Sequence, residues 1–173
     1  MTTIGKAMQD AMNEQINKEF FSSYLYLSMA AYFEDKNLTG FAHWMRLQAD
    51  EEREHAMKFY EFILDRGGRV QLQAIDAPAT EWKSNLAVAE QVAEHESRVT
   101  DSINTLYELA LREKDYPAQT MLQWFISEQV EEEKNAADLV AKLRLIEERG
   151  TAVLMLDHRL SKRGGEEAES EEE

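Results

Sequence analysis

Four stretches of this chain, each about thirty residues long, hold no glycine or proline beyond their first turn. The whole sequence has seven glycines and two prolines, which lie between these stretches, at their beginnings or near the C-terminus. Both residues disfavour the interior of a helix, so their positions predict where helices begin and end. We expect four long helices at about 5–35, 39–66, 84–114 and 116–148, and a shorter fifth helix after Gly150.

Each long stretch carries apolar residues at alternating spacings of three and four. This pattern is typical of a helix that buries one face in a bundle. In the middle of every stretch, a carboxyl, amide or imidazole side chain interrupts the apolar stripe. The sequence therefore predicts an all-α bundle with a polar layer at mid-height. The interrupting residues are Glu19, Gln48, Glu52, His55, Glu96, Gln129 and Glu132.

The lengths of the connections predict the topology. Short turns near 36–38 and around Asp115 join antiparallel neighbours. The 17 residues of 67–83 reach up to about 56 Å when extended, whereas a helix of 28 residues is about 42 Å long. This segment can therefore cross the full length of the bundle. The second and third helices are then parallel, and the bundle runs up, down, down and up.

The polar interruptions repeat at fixed distances. In the first two helices they are separated by 33 and 36 residues, and the same two distances recur in the last two helices. A helix pair used twice would place both sets at the bundle axis, facing each other. The two sets are Glu19, Glu52 and His55, and Glu96, Gln129 and Glu132.

Four carboxylates and an imidazole at a dry centre need compensating charge. An unpaired buried carboxylate is strongly destabilising, and none of the 19 lysines and arginines lies on the inward stripes beside these residues. Oxygen-rich coordination with one imidazole suits a hard or borderline divalent cation, and carboxylates that bridge helices suit two such ions. The sequence therefore predicts a two-metal site inside the bundle.

Composition limits the partners and the compartment. The chain has 34 acidic and 19 basic residues, a net charge of -15, which argues against a nucleic-acid partner. The absence of cysteine excludes disulfides, thiolate metal sites and a cysteine nucleophile. No leader pattern and no run of 18 apolar residues is present. We expect a soluble cytoplasmic protein with no membrane partner.

One domain is expected over 1–163. The last ten residues, 164–173, contain six glutamates and predict a disordered acidic tail. The segment 151–160 is apolar on most of its faces, so we expect it to be buried against another surface.

The sequence resembles the non-haem ferritins of bacteria and archaea over nearly all of 5–163. The matching stretches are 17–26 (NKEFFSSYLY), 51–56 (EEREHA), 94–96 (EHE) and 122–134 (LQWFISEQVEEEK). The resemblance implies a ferritin-like bundle that assembles with copies of itself, 24 in this family, into a hollow shell. It also implies ferroxidase activity, in which Fe(II) is oxidised with O2 or H2O2 and ferric mineral is stored inside the shell.

The likeness also implies roles for residues at the matching positions. Glu19, Glu52 and His55 would bind one iron ion. Glu52, Glu96 and Glu132 would bind a second ion, with Glu52 as the bridge.

Further roles are implied by the same likeness. Gln129 would lie beside the oxygen site, and Tyr26 would donate an electron or a proton during oxidation. The family has a third, weaker iron site with acidic ligands. The matching positions are Glu51, Glu128 and Glu131.

No haem is expected. The second Glu-x-x-His motif is replaced by Gln129-x-x-Glu132, and Arg53 stands where bacterioferritins carry a haem-ligating methionine. Three other classes stay open at this point. A di-iron oxidase or peroxidase of rubrerythrin type forms no cage but usually adds a cysteine-ligated iron domain. A DNA-protecting mini-ferritin places its iron site between subunits. A metal-free helical interaction module would satisfy the polar residues with one another.

Three other histidine and tryptophan side chains have no metal-binding role in the prediction. His43 and His95 fall off the inward positions, and we expect both on the surface. Trp124 is expected to pack in the core.

Overall fold

The computed structural model describes residues 3–147 and 149–163, and within these ranges all regular structure is helical. The predicted all-α architecture is confirmed, and each of the four long helices begins and ends within two residues of its expected position. The acidic tail predicted at 164–173 lies outside the described residues. The helices are α1 Lys6–Asp35, α2 Thr39–Asp65, α3 Asn85–Glu113, α4 Tyr116–Ile146 and α5 Gly150–Leu160.

The crossover between α2 and α3 runs along α1 from its N-terminal to its C-terminal end. Side chains spaced along α1 donate in order to backbone carbonyls spaced along the crossover. Because α2 ends beside the start of α1, a crossover in this direction makes α2 and α3 parallel, as the connection length predicts. The hydrogen bonds are Asn13 Nδ2 to Arg69 O (3.0 Å), Asn17 Nδ2 to Ala74 O (2.9 Å), Ser28 Oγ to Ala79 O (2.6 Å) and Tyr32 Oη to Trp82 O (3.2 Å).

Two helix starts are capped by side chains that the sequence places just before them. Ser84 Oγ accepts from Ala87 N at 3.0 Å, and Asp115 Oδ1 accepts from Ala118 N at 3.1 Å. The Asp115 carboxylate also accepts from both terminal nitrogens of Arg66, at 2.9 and 3.3 Å. This pair joins the end of α2 to the start of α4, which sets the relative height of the two helices.

The apolar core is divided into two clusters. One cluster includes Met29, Phe33 and Phe41 near the C-terminal end of α1, and the other includes Met12 and Phe59 near its N-terminal end. Between them lies a layer of buried polar side chains, so the polar interruptions of the four stripes meet at one height. Burial of polar groups is unfavourable unless each finds a partner. The layer is therefore the region of the fold to which a function must be assigned.

The fifth helix docks on the start of α2. Phe41 N donates to Asp157 Oδ1 at 2.9 Å, so α5 supplies a cap to α2. Val153 and Leu156 are buried against the bundle, whereas Leu154 and Met155 are 61% and 71% exposed. The expectation that α5 is buried is therefore met on one face within a single chain, and its other face stays apolar and exposed.

Candidate metal centre

Three side chains from two helices meet at the centre of the polar layer. Glu19 comes from α1, and Glu52 and His55 come from successive turns of α2. One potential ligand atom from each lies within 4.8 Å of the others, and all three residues are buried. Within 3–147 and 149–163, no other group of three such residues is gathered this closely. His55 Nδ1 is 3.7 Å from Glu52 Oε2, too far for a hydrogen bond.

Three oxygens of this group have no hydrogen-bond partner. They are Glu19 Oε2 and both carboxylate oxygens of Glu52, and all three are inaccessible to solvent. The other oxygen of Glu19 accepts from Gln15 Nε2 at 2.7 Å. Buried polar atoms in folded proteins are almost always paired, and unpaired buried carboxylates are strongly unfavourable. A divalent cation bound by these oxygens and the imidazole would remove the penalty, so the donor set fits a metal ion.

Glu96 of α3 and Glu132 of α4 reach the same layer but are held by neutral donors. Tyr26 Oη donates to Glu96 Oε1, and Gln129 Nε2 is 3.3 Å from Glu96 Oε2. Gln48 Nε2 donates to Glu132 Oε2 at 2.9 Å. The structure thus brings all five predicted inner ligands into one layer, with Glu96 and Glu132 outside the tight group of three.

Burial raises the pKa of every carboxyl group in the layer. The pKa values of Glu19 and Glu52 lie well above the usual range, and desolvation is the main cause for both. Repulsion from Glu52 raises the pKa of Glu19 further, and repulsion from Glu96 does the same for Glu52. Burial also raises the pKa of Glu96, and it raises the pKa of Glu132 to about 7. The Tyr26 pKa rises well above 10 through burial and the neighbouring Glu96. The Tyr26 hydroxyl therefore stays protonated and donates.

These shifts predict that the metal-free protein loses stability as pH rises above neutrality. Between the ordinary pKa of about 4.5 and its raised folded value, a carboxyl group is ionised in the unfolded chain and protonated in the folded one. The unfolded state then binds fewer protons, so the free energy of unfolding falls with pH. Each such group contributes about 1.4 kcal/mol per pH unit. The slope is expected in thermal unfolding of metal-free protein above about pH 6.5, through Glu132, whose folded pKa is about 7, and through Glu19 and Glu52, whose pKa values are raised well above the usual range.

The lower limit of that window comes from His95. Its pKa is lowered from 6.5 to about 4, so between these pH values His95 is protonated in the unfolded chain and neutral in the folded one. The free energy of unfolding therefore rises with pH in this range, which would mask the fall caused by the carboxyl groups. Bound Zn(II) should abolish the slope above pH 6.5, because metal keeps the carboxylates ionised. Glu52→Gln should reduce the slope without metal. A flat or rising profile in the metal-free wild type would contradict the prediction.

The three outer acids are not gathered. Glu51 and Glu128 are half-buried and Glu131 is exposed. None of them belongs to the tight group of three around Glu52. Glu51 is instead paired with Arg163, whose Nη2 lies 3.1 and 3.2 Å from its two carboxylate oxygens. The third iron site therefore stays a prediction.

Three side chains differ in burial from the expectation drawn from the sequence. His95 is half-buried, with Nε2 2.7 Å from Ser22 Oγ, and burial with nearby Arg98 lowers its pKa to about 4. His43 is also half-buried. Trp124 is 41% exposed, yet its ring meets the His55 ring edge-on at 5.5 Å. A histidine adjacent to an inward glutamate lies at a bundle flank, where neighbouring helices still cover it.

Two further residues were missed. Gln15 precedes Glu19 by four positions, so the helical repeat could have shown that its amide faces the same carboxylate. Arg163 carries no comparable signal, because it lies 112 residues from Glu51 in the chain. Only the packing of α5 on α2 brings them together.

The fold and the buried carboxylate centre define a ferritin-like four-helix protein, and the family model for the ferritin-like domain matches residues 9–146. The bacterial non-heme ferritin of Bacteroides fragilis is 41% identical over 160 residues, covering 92% of this chain and 99% of that protein. The one from Campylobacter jejuni is 39% identical over 154 residues, covering 89% and 92%. The open pore ferritin of the archaeon Archaeoglobus fulgidus superposes with a TM-score of 0.92 at 52% identity, covering 93% and 99%.

The chain belongs to the ferritin family, and its function is the family's iron storage. The resemblance drawn from the sequence is thereby confirmed. No described helix is both long enough and apolar enough to cross a membrane.

Proposed function

We propose that this ferritin oxidises Fe(II) at the buried centre, with O2 or H2O2 as the acceptor, and stores the ferric product within a shell of its own copies. The observation that carries the proposal is the set of three buried, unpartnered carboxylate oxygens on Glu19 and Glu52. Fe(II) is the substrate, a borderline cation that suits carboxylates with one imidazole. Membership of the ferritin family supports iron over other divalent ions.

The arrangement supports two iron ions per subunit. Glu19 and His55 would join Glu52 around one ion. Glu96 and Glu132, whose charges act on Glu52, would join it around the second. Each Fe(II) gives up one electron, so a pair of ions supplies the two electrons that reduce O2 to the level of peroxide. The iron carries the redox chemistry, and the protein holds the ions close together.

Tyr26 and Gln129 are proposed to support the second ion. Both donate to Glu96, so they orient the carboxylate that would bind this ion. The protonated Tyr26 hydroxyl, which donates to Glu96, would also pass a proton or an electron to the site during oxidation. The third, weaker site at Glu51, Glu128 and Glu131 is proposed on the family likeness alone, as is a cytoplasmic location.

A shell of identical subunits would cover the exposed apolar face of α5. Leu154 and Met155 lie on this face and are exposed in the part of the chain that the structure describes. An assembly of 24 copies of the 20.0 kDa chain has a mass of 480 kDa. Such a shell would set this protein apart from a cage-less di-iron oxidase, and a mini-ferritin of 12 copies would have half that mass.

The test combines the mass of the native particle with its reaction with iron. Sedimentation should give about 480 kDa for the purified protein. Addition of Fe(II) in air should produce ferric absorbance much faster than in buffer, and the iron should sediment with the protein. Crystals soaked anaerobically in ferrous salt should show anomalous signal between Glu19, Glu52 and His55. A small particle, or a centre filled by water alone, would overturn the proposal.

A further inference from the structure

Arg163 lies just beyond α5 and contacts the metal-binding part of α2. Its backbone carbonyl is 3.0 Å from His43 Nε2, and its guanidinium carbon lies 5.1 Å from the centre of the Trp44 ring. Nη1 donates to Gln48 Oε1. Nη2 is 3.1 and 3.2 Å from the two carboxylate oxygens of Glu51. Four residues along one side of α2 therefore hold this single arginine.

These contacts hold Arg163 in a largely buried position, unlike an ion pair on the solvent-exposed surface. The Arg163 side chain is only 24% exposed, and Gln48 is fully buried. Gln48 turns its oxygen to Arg163 and its nitrogen to Glu132, which it meets at 2.9 Å. A guanidinium can only donate and a carboxylate can only accept, so this amide has one possible orientation. Arg163 is thereby connected to the inner layer as well as to Glu51.

One nitrogen of Arg163 lies close to both oxygens of the Glu51 carboxylate, which leaves that carboxylate already neutralised. A metal ion that uses Glu51 as a ligand must therefore displace the guanidinium or share the carboxylate with it. Both are less favourable than binding to a free carboxylate, because two cations at one anion repel each other. The other two acids of the third site, Glu128 and Glu131, are not drawn together with Glu51.

We propose that Arg163 acts as an internal cation that weakens metal binding at Glu51 and so keeps the third iron site closed while the pair is in place. The inference rests on the proposed function, because it assigns a control to one of its sites. Arg163 is a positioning residue in this scheme. It acts through Glu51 and is not itself a ligand.

The test measures how tightly the protein binds a third metal ion when the Arg163 charge is removed. Zn(II) is the probe, because it does not change oxidation state, and calorimetric titration of the full chain gives an affinity for each ion. Arg163→Gln keeps a hydrogen-bond donor but loses the charge. We expect the third ion to bind about threefold to fivefold more tightly, the upper part of the range that a partly exposed charge pair contributes. Arg163→Lys keeps the charge without the planar fork, so its affinity should stay closer to wild type.

Lys162→Gln is the matched control. Lys162 is the exposed neighbour of Arg163 in the chain, and its substitution also removes one positive charge. The net charge of the protein therefore changes by the same amount in both variants. Its third-ion affinity should stay within about twofold of wild type, since the charge of a solvent-exposed side chain is screened by salt. Equal gains in both variants would overturn the proposal, because the effect would then be one of net charge. No gain in Arg163→Gln would overturn it as well.

A second measurement uses the protein with Arg163 intact. Filling the third site should move the guanidinium away from Trp44 and change the emission of that indole, isolated as the difference between wild type and Trp44→Phe. Unchanged Trp44 emission while the third ion binds would contradict the proposal. Failure of the proposed function would look different, because the wild type would then bind neither of the first two ions.

Discussion

Glu52→Gln should slow the oxidation of Fe(II) in air by about 100-fold or more, because loss of an outer-sphere partner alone costs about 10- to 100-fold. Glu52 belongs to the tight group of three, and both its oxygens lack any other partner. The amide keeps the shape of the side chain but cannot bridge two cations as a carboxylate does. Stopped-flow absorbance of the ferric product at two Fe(II) per subunit measures the initial rate.

The same variant should be more stable than wild type when both are free of metal. Burial raises the pKa of Glu52 well above its usual range, so this carboxyl group destabilises the empty fold near neutral pH. A slower reaction together with a higher unfolding temperature would exclude misfolding as the cause. Glu54→Gln is the matched control, because Glu54 is exposed on the same helix. Equal rates for Glu52→Gln and wild type would refute the assignment of the bridging ligand.

Gly40→Ala should release α5 from the bundle. A Cβ at Gly40 would overlap the backbone carbonyl of Asp157 and lie 3.0 Å from its Cγ. The obstacle is backbone, which cannot rotate away as a flexible side chain can, so α5 must shift and the hydrogen bond from Phe41 N to Asp157 is lost. We expect a loss of about 2–4 kcal/mol, or about 5–10 °C in the unfolding midpoint. The proposed shell should also assemble poorly, since α5 carries the exposed apolar face.

Gly150→Ala provides the control for this substitution. It lies at the first position of α5, and a Cβ there meets nothing within 4 Å. Alanine favours the helix over glycine, so the variant should match or slightly exceed wild type in stability and keep the native mass by sedimentation. If Gly40→Ala behaves like Gly150→Ala, the close contact between α2 and α5 does not hold the fifth helix in place.

Sequence alone sufficed for the features that depend on local geometry. Helix ends followed from glycine and proline, since these residues change the backbone energy wherever they stand. The inner layer followed from spacing, because a regular helix converts a distance along the chain into a position on one face. Glu19 and Glu52, 33 residues apart in the chain, meet for this reason.

Only the tertiary structure decided which of the gathered acids has a partner. Glu96 receives the Tyr26 hydroxyl and Glu132 receives Gln48, whereas both oxygens of Glu52 are left with none. The pairing of Arg163 with Glu51 likewise could not be predicted from the sequence. Hydrogen bonds and charge pairs act over a few ångströms, so they depend on how helices distant in sequence are rotated and raised against each other. Periodicity specifies a face of each helix, and packing then specifies which atoms on these faces touch.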